Sequence, residues 1–106
     1  MLIKMGANIS GAGTSEIIVE GVDKLNPTDH EIIGDRIAAG TFLAAILSTK
    51  GSGIVNGINP EHLPMELKKL GEMGAKIDST ETSINIEYQD NLQSIELSTL
   101  PFPGIA

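Results

Sequence analysis

Cysteine and tryptophan are both missing from the 106 residues of the chain. Without a thiol these residues can form no disulfide, no thiolate metal site and no cysteine nucleophile. Aromatic residues make up only 3%, and seven basic residues face fourteen acidic ones. The net charge of −7 works against a phosphate backbone or an anionic lipid surface, so neither nucleic acid nor membrane is expected as a partner. Long apolar runs are missing as well: the longest, Phe42 to Leu47, falls far short of the ~20 residues that a membrane-spanning helix needs. The opening residues, Met1-Leu2-Ile3-Lys4-Met5-Gly6, lack the charged and apolar regions of a secretory leader, which makes the cytoplasm the expected location. A chain this short makes one small domain or one piece of a larger one, burying roughly 65% of its unfolded surface. What it has in excess is glycine, twelve residues where the usual share is about 7%. Small-residue packing and many tight turns follow.

The chain also repeats itself. Leu2 to Ile9 aligns with Leu70 to Ile77 at an offset of 68 residues, and the same offset pairs Thr14-Ser15 with Thr82-Ser83 and Ile18 with Ile86. Each copy reads as a helix ending at Met, a Gly in the left-handed position that residues with a Cβ avoid, and an Ala leading into a strand. The chain therefore opens on the tail of a helix. It is expected to be cut from a longer protein, with residues 1–106 holding one repeat unit plus the end of the preceding helix.

Between the two copies the pattern predicts strands over Thr14 to Glu20 and Gly53 to Ile58, both expected to be buried. Two further strands, Ser83 to Tyr88 and Gln93 to Thr99, alternate apolar and polar residues as half-exposed strands do, and Gln89-Asp90-Asn91 suits a hairpin turn between them. The segment Asp35 to Ser48 is apolar on nearly every side and predicts a helix buried all round. Gly40 in its middle costs about 1 kcal/mol relative to Ala, which predicts close packing at that point. A second, amphipathic helix carries Leu63, Leu67 and Leu70 at i, i+4, i+7 and begins at Pro64, after a separate turn at Asn59-Pro60-Glu61-His62. The fold class is α+β, with a curled sheet around an apolar buried helix.

Few residues carry chemistry. His30 and His62 are expected as solvated turn residues, because neither has a second His or a carboxylate at ligand spacing on a common face; no metal is implied. Ser10-Gly11-Ala12-Gly13-Thr14 lacks the Lys and the following helix of a phosphate loop and reads as a turn between strands. Met5 and Met73 fill space at helix ends. Asp35 has the place and charge of a helix N-terminal residue.

Four segments, taken in order, resemble the enolpyruvyl transferase family. They are Leu2 to Thr14, Gly34-Asp35-Arg36-Ile37-Ala38-Ala39-Gly40-Thr41-Phe42, Asn59-Pro60-Glu61-His62-Leu63, and Ser98-Thr99-Leu100-Pro101-Phe102-Pro103-Gly104. The chain departs from the family at Gly34, where Pro is usual, at Ala38, where Glu is usual, and at Pro64, a position normally polar. The resemblance implies one βαβαββ unit of an inside-out α/β barrel and a whole protein that moves the enolpyruvyl group of phosphoenolpyruvate. Asp35-Arg36-Ile37 resembles the branch acting on UDP-N-acetylglucosamine in peptidoglycan synthesis, which serves cell shape and division. The branch acting on shikimate 3-phosphate normally carries a Ser-Ser-Ala version of this motif.

The family's general-base Asp follows the Pro-rich loop in a Thr-Asp pair, expected just beyond Ala106. Its general-acid loop, with Cys or Asp, lies elsewhere. No catalytic residue is therefore expected within these 106 residues, and the isolated chain is expected to be inactive. The resemblance places Arg36, Asp35, Pro103 and Gly104 near the substrates and implies no cofactor. Two other readings stand beside it: a stand-alone structural module that pairs with a copy of itself, and a unit of an RNA 3′-phosphate cyclase, which the acidic charge opposes.

Overall fold

The computed structural model describes residues 1–101, 104 and 105. The chain divides into two compact units, Met1–Ile32 and Ile33–Ala106. Together they are α+β, with two helices and two separate sheets.

The first unit is a two-stranded ribbon. Strand β1 (Asn8–Ser10) pairs antiparallel with β2 (Ile18–Glu20), setting Asn8 opposite Glu20 and Ile9 opposite Val19. A single hydrogen-bonded turn precedes it. The Ala7 N–H donates to the Leu2 carbonyl at 3.0 Å, and Gly6 has φ +99°, as the reading of a helix tail closed by a left-handed glycine requires. The strand expected over Thr14 to Glu20 is shorter than that, because the Thr14 hydroxyl donates to the Glu16 carbonyl at 2.8 Å and holds this stretch in the turn. Nor is it buried. Ile18 and Val19 are 53% and 65% exposed, since within this unit no third strand or helix covers the ribbon.

The second unit has a three-stranded antiparallel sheet in the order β3 (Ser52–Asn56), β5 (Ser83–Glu87), β4 (Lys76–Ser79). One face carries Gly53, Val55, Ile77, Ile84 and Ile86; the opposite face is polar apart from Ile54. Helix α1 (Arg36–Ser48) lies on the apolar face through Ala39, Leu43 and Leu47, one stripe at i, i+4, i+8. Helix α2 (Pro64–Glu72) adds Leu67 and Leu70, and Leu63 and Ile58 complete the core. The second helix begins at Pro64 after a 3₁₀ turn over Pro60–His62 whose first donor is capped by Asn59, as the sequence predicts. It ends as the first unit begins: the Ala75 N–H donates to the Leu70 carbonyl at 3.1 Å, and Gly74 has φ +102°.

Four expectations about this unit are corrected. Helix α1 is not buried all round, because the sheet covers only one side of it; Ile37 and Phe42, on other sides, are 50% and 62% exposed. The close approach falls at Gly53 rather than at Gly40. A Cβ on Gly53 would lie 3.0 Å from the Ile46 Cδ1, whereas a Cβ on Gly40 meets nothing within 4 Å. Finally, Gln93 to Thr99 forms no strand beside β5. Both edges of β5 are taken by β3 and β4, so after Asn91 the chain turns to the end of α2 instead, where the Gln93 N–H donates to the Met73 carbonyl at 2.8 Å. Strand β3 is likewise half-exposed rather than buried, with Ile54 on the open face.

Candidate functional site

The residues singled out by their chemistry gather where α1 begins. Asp35 is the N-cap: its Oδ1 accepts from the Ile37 N–H at 2.8 Å, an arrangement that contributes about 1 kcal/mol to a helix. Its carboxylate is thus engaged locally. Arg36, the next residue, is held by groups far away in sequence. Its Nη1 lies 3.4 Å from Oε1 of Glu66 on α2 and 3.3 Å from the carbonyl oxygen of Gly104 in the Pro-rich loop. The two side chains are 22% and 13% exposed, so the pair is shielded from water on most sides. Of the four residues expected near substrate, Asp35, Arg36 and Gly104 therefore converge on one helix start; Pro103 lies outside the described residues.

Glu66 was not legible as part of this site. Its position in the first turn of α2 suits an acidic residue, and nothing in its neighbours signals a partner 30 residues upstream. Its other oxygen, Oε2, is buried and finds no hydrogen-bond partner among the described residues.

Arg36 and Glu66 also form the charged end of a cleft of about 420 Å³ between the two helices. Its walls are apolar: Ile37, Gly40, Thr41 and Ala44 on α1 face Leu70 and Met73, with Leu97 and Ile105 alongside. Lys69 is the remaining charged residue on the wall, and its ammonium donates to Glu72 at 2.8 Å, which holds the Glu72 carboxyl below its ordinary value. A cleft of this kind can seat an apolar surface along its length while its charged end meets an anionic group. The structure thus offers one fixed guanidinium, not the cluster that would grip a phosphate and a carboxylate together.

The two histidines differ. His30 is exposed in the loop before α1, as expected. His62 is half-buried in the 3₁₀ turn, and its Nδ1 is buried without a partner among the described residues, a correction to its reading as a solvated residue. The next residue, Leu63, is fully buried. Among the described residues no three His, Asp or Glu side chains form a metal-binding group, and no helix is long and apolar enough to cross a membrane.

The site is thus a single arginine held at the start of a helix in a small α+β domain. The family described as EPSP synthase (3-phosphoshikimate 1-carboxyvinyltransferase) matches residues 1–106, and the chain belongs to that family. Among curated proteins it is 48% identical over 104 residues to the UDP-N-acetylglucosamine 1-carboxyvinyltransferase of Fervidobacterium nodosum. It is 47% identical over 104 residues to that of Corynebacterium jeikeium and 43% identical over 101 residues to that of Thermotoga maritima. These alignments take in 98%, 98% and 95% of this chain, which spans about a quarter of the length of the relatives.

Proposed function

We propose that the chain is one unit of a cytoplasmic transferase that moves the enolpyruvyl group of phosphoenolpyruvate to the 3′-hydroxyl of UDP-N-acetylglucosamine, in peptidoglycan synthesis. The observation that carries this reading is the 42–48% identity, over nearly the whole chain, to relatives all named for that reaction. In the reaction the sugar oxygen bonds to C2 of the enolpyruvyl group while the vinyl carbon gains a proton. The tetrahedral adduct then loses that proton and phosphate together. An acid, a base and a cluster of cations are needed. Arg36 is the single arginine available here, so the acid, the base and most of the cluster come from the rest of the whole protein. The part assigned to these residues is one wall of the substrate cleft, with Arg36, Asp35, Pro103 and Gly104 on its rim.

In the same reading, the open apolar side of α1 is closed by other units of an inside-out barrel, and the turn at residues 1–6 is the end of the helix that precedes this unit. The test is a phosphate-release assay of the full-length protein with phosphoenolpyruvate and either UDP-N-acetylglucosamine or shikimate 3-phosphate. Turnover with only the former is expected; turnover with only the latter overturns the substrate assignment. The isolated 106 residues are expected to release no phosphate with either. A second reading is favoured by one observation, the exposed Ile37 and Phe42 of α1: two copies of the chain cover that side for each other. A discrete dimer with cooperative melting in sedimentation and calorimetry supports it.

A further inference from the structure

We infer that Glu66 is a positioning residue for Arg36, the carboxylate that sets the plane of the guanidinium at the charged end of the α1–α2 cleft. The inference rests on the proposed substrate-facing role of Arg36 and adds to it a dependence on a residue of the other helix. A guanidinium is a rigid planar fork of five donors, so its usefulness to an anionic ligand depends on which way the fork is turned. Here one nitrogen, Nη1, is caught between Glu66 Oε1 at 3.4 Å and the Gly104 carbonyl at 3.3 Å.

Both acceptors are held by the fold. Pro64 starts α2 with a preset φ, and Glu66 follows two residues later in the first turn, where the helix dipole favours its charge. Gly104 closes a tight turn through its N–H to the Pro101 carbonyl at 2.8 Å; a Cβ there would come within 2.6 Å of Leu100 Cβ. Only glycine lets this loop aim a carbonyl at the start of α1.

The contact is poorly suited to be a stabilising device. It is a long, single-atom ion pair with both side chains mostly shielded, and desolvating two charges offsets much of their attraction. Orientation is what the arrangement supplies. Glu66 and Gly104 come from 30 and 68 residues away, so the direction of Arg36 reports the relative placement of α1, α2 and the Pro-rich loop.

The test is a double-mutant cycle in a full-length transferase that carries this segment, read by steady-state phosphate release. Glu66→Ala is expected to raise the same KM that Arg36→Ala raises, by about 5- to 10-fold, with kcat within about twofold. On an Arg36→Ala background it is expected to add less than about twofold, because it acts through Arg36. Glu66→Gln, which keeps an acceptor oxygen at the same reach, is expected to recover most of the loss. An unchanged KM in Glu66→Ala, or the same loss with and without Arg36, overturns the inference. Should Glu66→Ala fail to melt cooperatively, Glu66→Met, which keeps the length of the side chain and removes the acceptor, takes its place in the cycle: its rise in KM must vanish on the Arg36→Ala background. If Arg36→Ala leaves both KM values unchanged, the substrate role of Arg36 falls and Glu66 with it. If the enzyme accepts only shikimate 3-phosphate, the substrate assignment fails while the cycle still decides the link between the two residues.

Discussion

The hairpins β1–β2 and β4–β5 are built from the same local instructions and end in different surroundings. Each follows a turn closed by a left-handed glycine, Gly6 or Gly74, and each sets an isoleucine, Ile9 or Ile77, opposite an apolar residue, Val19 or Ile86. Even the polar pair at the first register position corresponds: Asn8 Nδ2 donates to Glu20 Oε2 in one, and Lys76 Nζ lies 3.1 Å from Glu87 Oε2 in the other. Burial separates them. Val19 is 65% exposed while Ile84 and Ile86 are at 0%, because β5 has a strand on either side and α1 across its face. Turn chemistry and alternation are enough to form a ribbon; only a second layer makes one of its faces a core.

The comparison breaks first if the two hairpins respond alike to truncation. Ile86→Ala is expected to cost about 2–5 kcal/mol of folding stability, the range for a fully buried aliphatic side chain, whereas Val19→Ala is expected to stay within about 0.5 kcal/mol. Urea-denaturation midpoints of the two variants measure the contrast. Equal losses would mean that β2 is covered as thoroughly as β5.

A smaller effect sharpens the question of what α1 leans on. Gly53→Ala pushes a methyl against Ile46 and is expected to destabilise the chain by about 1 kcal/mol, as overpacking does. Gly40→Ala fills open space inside a helix and is expected to stabilise the isolated chain by about 0.5–1 kcal/mol. In the full-length protein the same Gly40→Ala is expected to lose that gain if a neighbouring unit packs on this side of α1. Thermal melting of both lengths, with and without the substitution, reads the difference.

The smallest effect concerns the corresponding polar pairs. The hydrogen bond from Lys76 to Glu87 raises the lysine above its ordinary value of 10.5, with the Glu87 and Asp78 charges adding to it. A raised value in the folded state means that the pair's contribution is complete below pH 10.5 and is lost as the pH climbs through the folded value. Lys76→Asn, which copies the Asn8–Glu20 arrangement, is expected to remove this part of the alkaline dependence. Melting temperatures at pH 9 and pH 11.5 for the two proteins test it, and identical shifts would show that the ion pair contributes nothing.

Much of what depends on neighbours in the chain was legible in the sequence. The helix start at Asp35, the separate turn before Pro64, the Leu63, Leu67 and Leu70 stripe and both glycine-closed turns each follow from a capping oxygen, a fixed φ or a 3.6-residue period. The family resemblance rested on the same short segments, and the match over residues 1–106 bears it out. Two of the errors share a cause. Gln93 to Thr99 has the alternation of a strand, yet a strand needs a free edge to pair with, and the two edges of β5 had gone to β3 and β4. The even spread of apolar residues on α1 does not say which side is covered, because that depends on how many layers surround it.

The sequence by itself therefore determined the two helices, their caps and the family kinship, since these rest on propensities and contacts a few residues apart. Only the tertiary structure decided which stripe of α1 is core, and that Arg36 would share its guanidinium between Glu66 and Gly104. Those outcomes depend on groups 30 and 68 residues distant, and no local pattern encodes where such groups arrive.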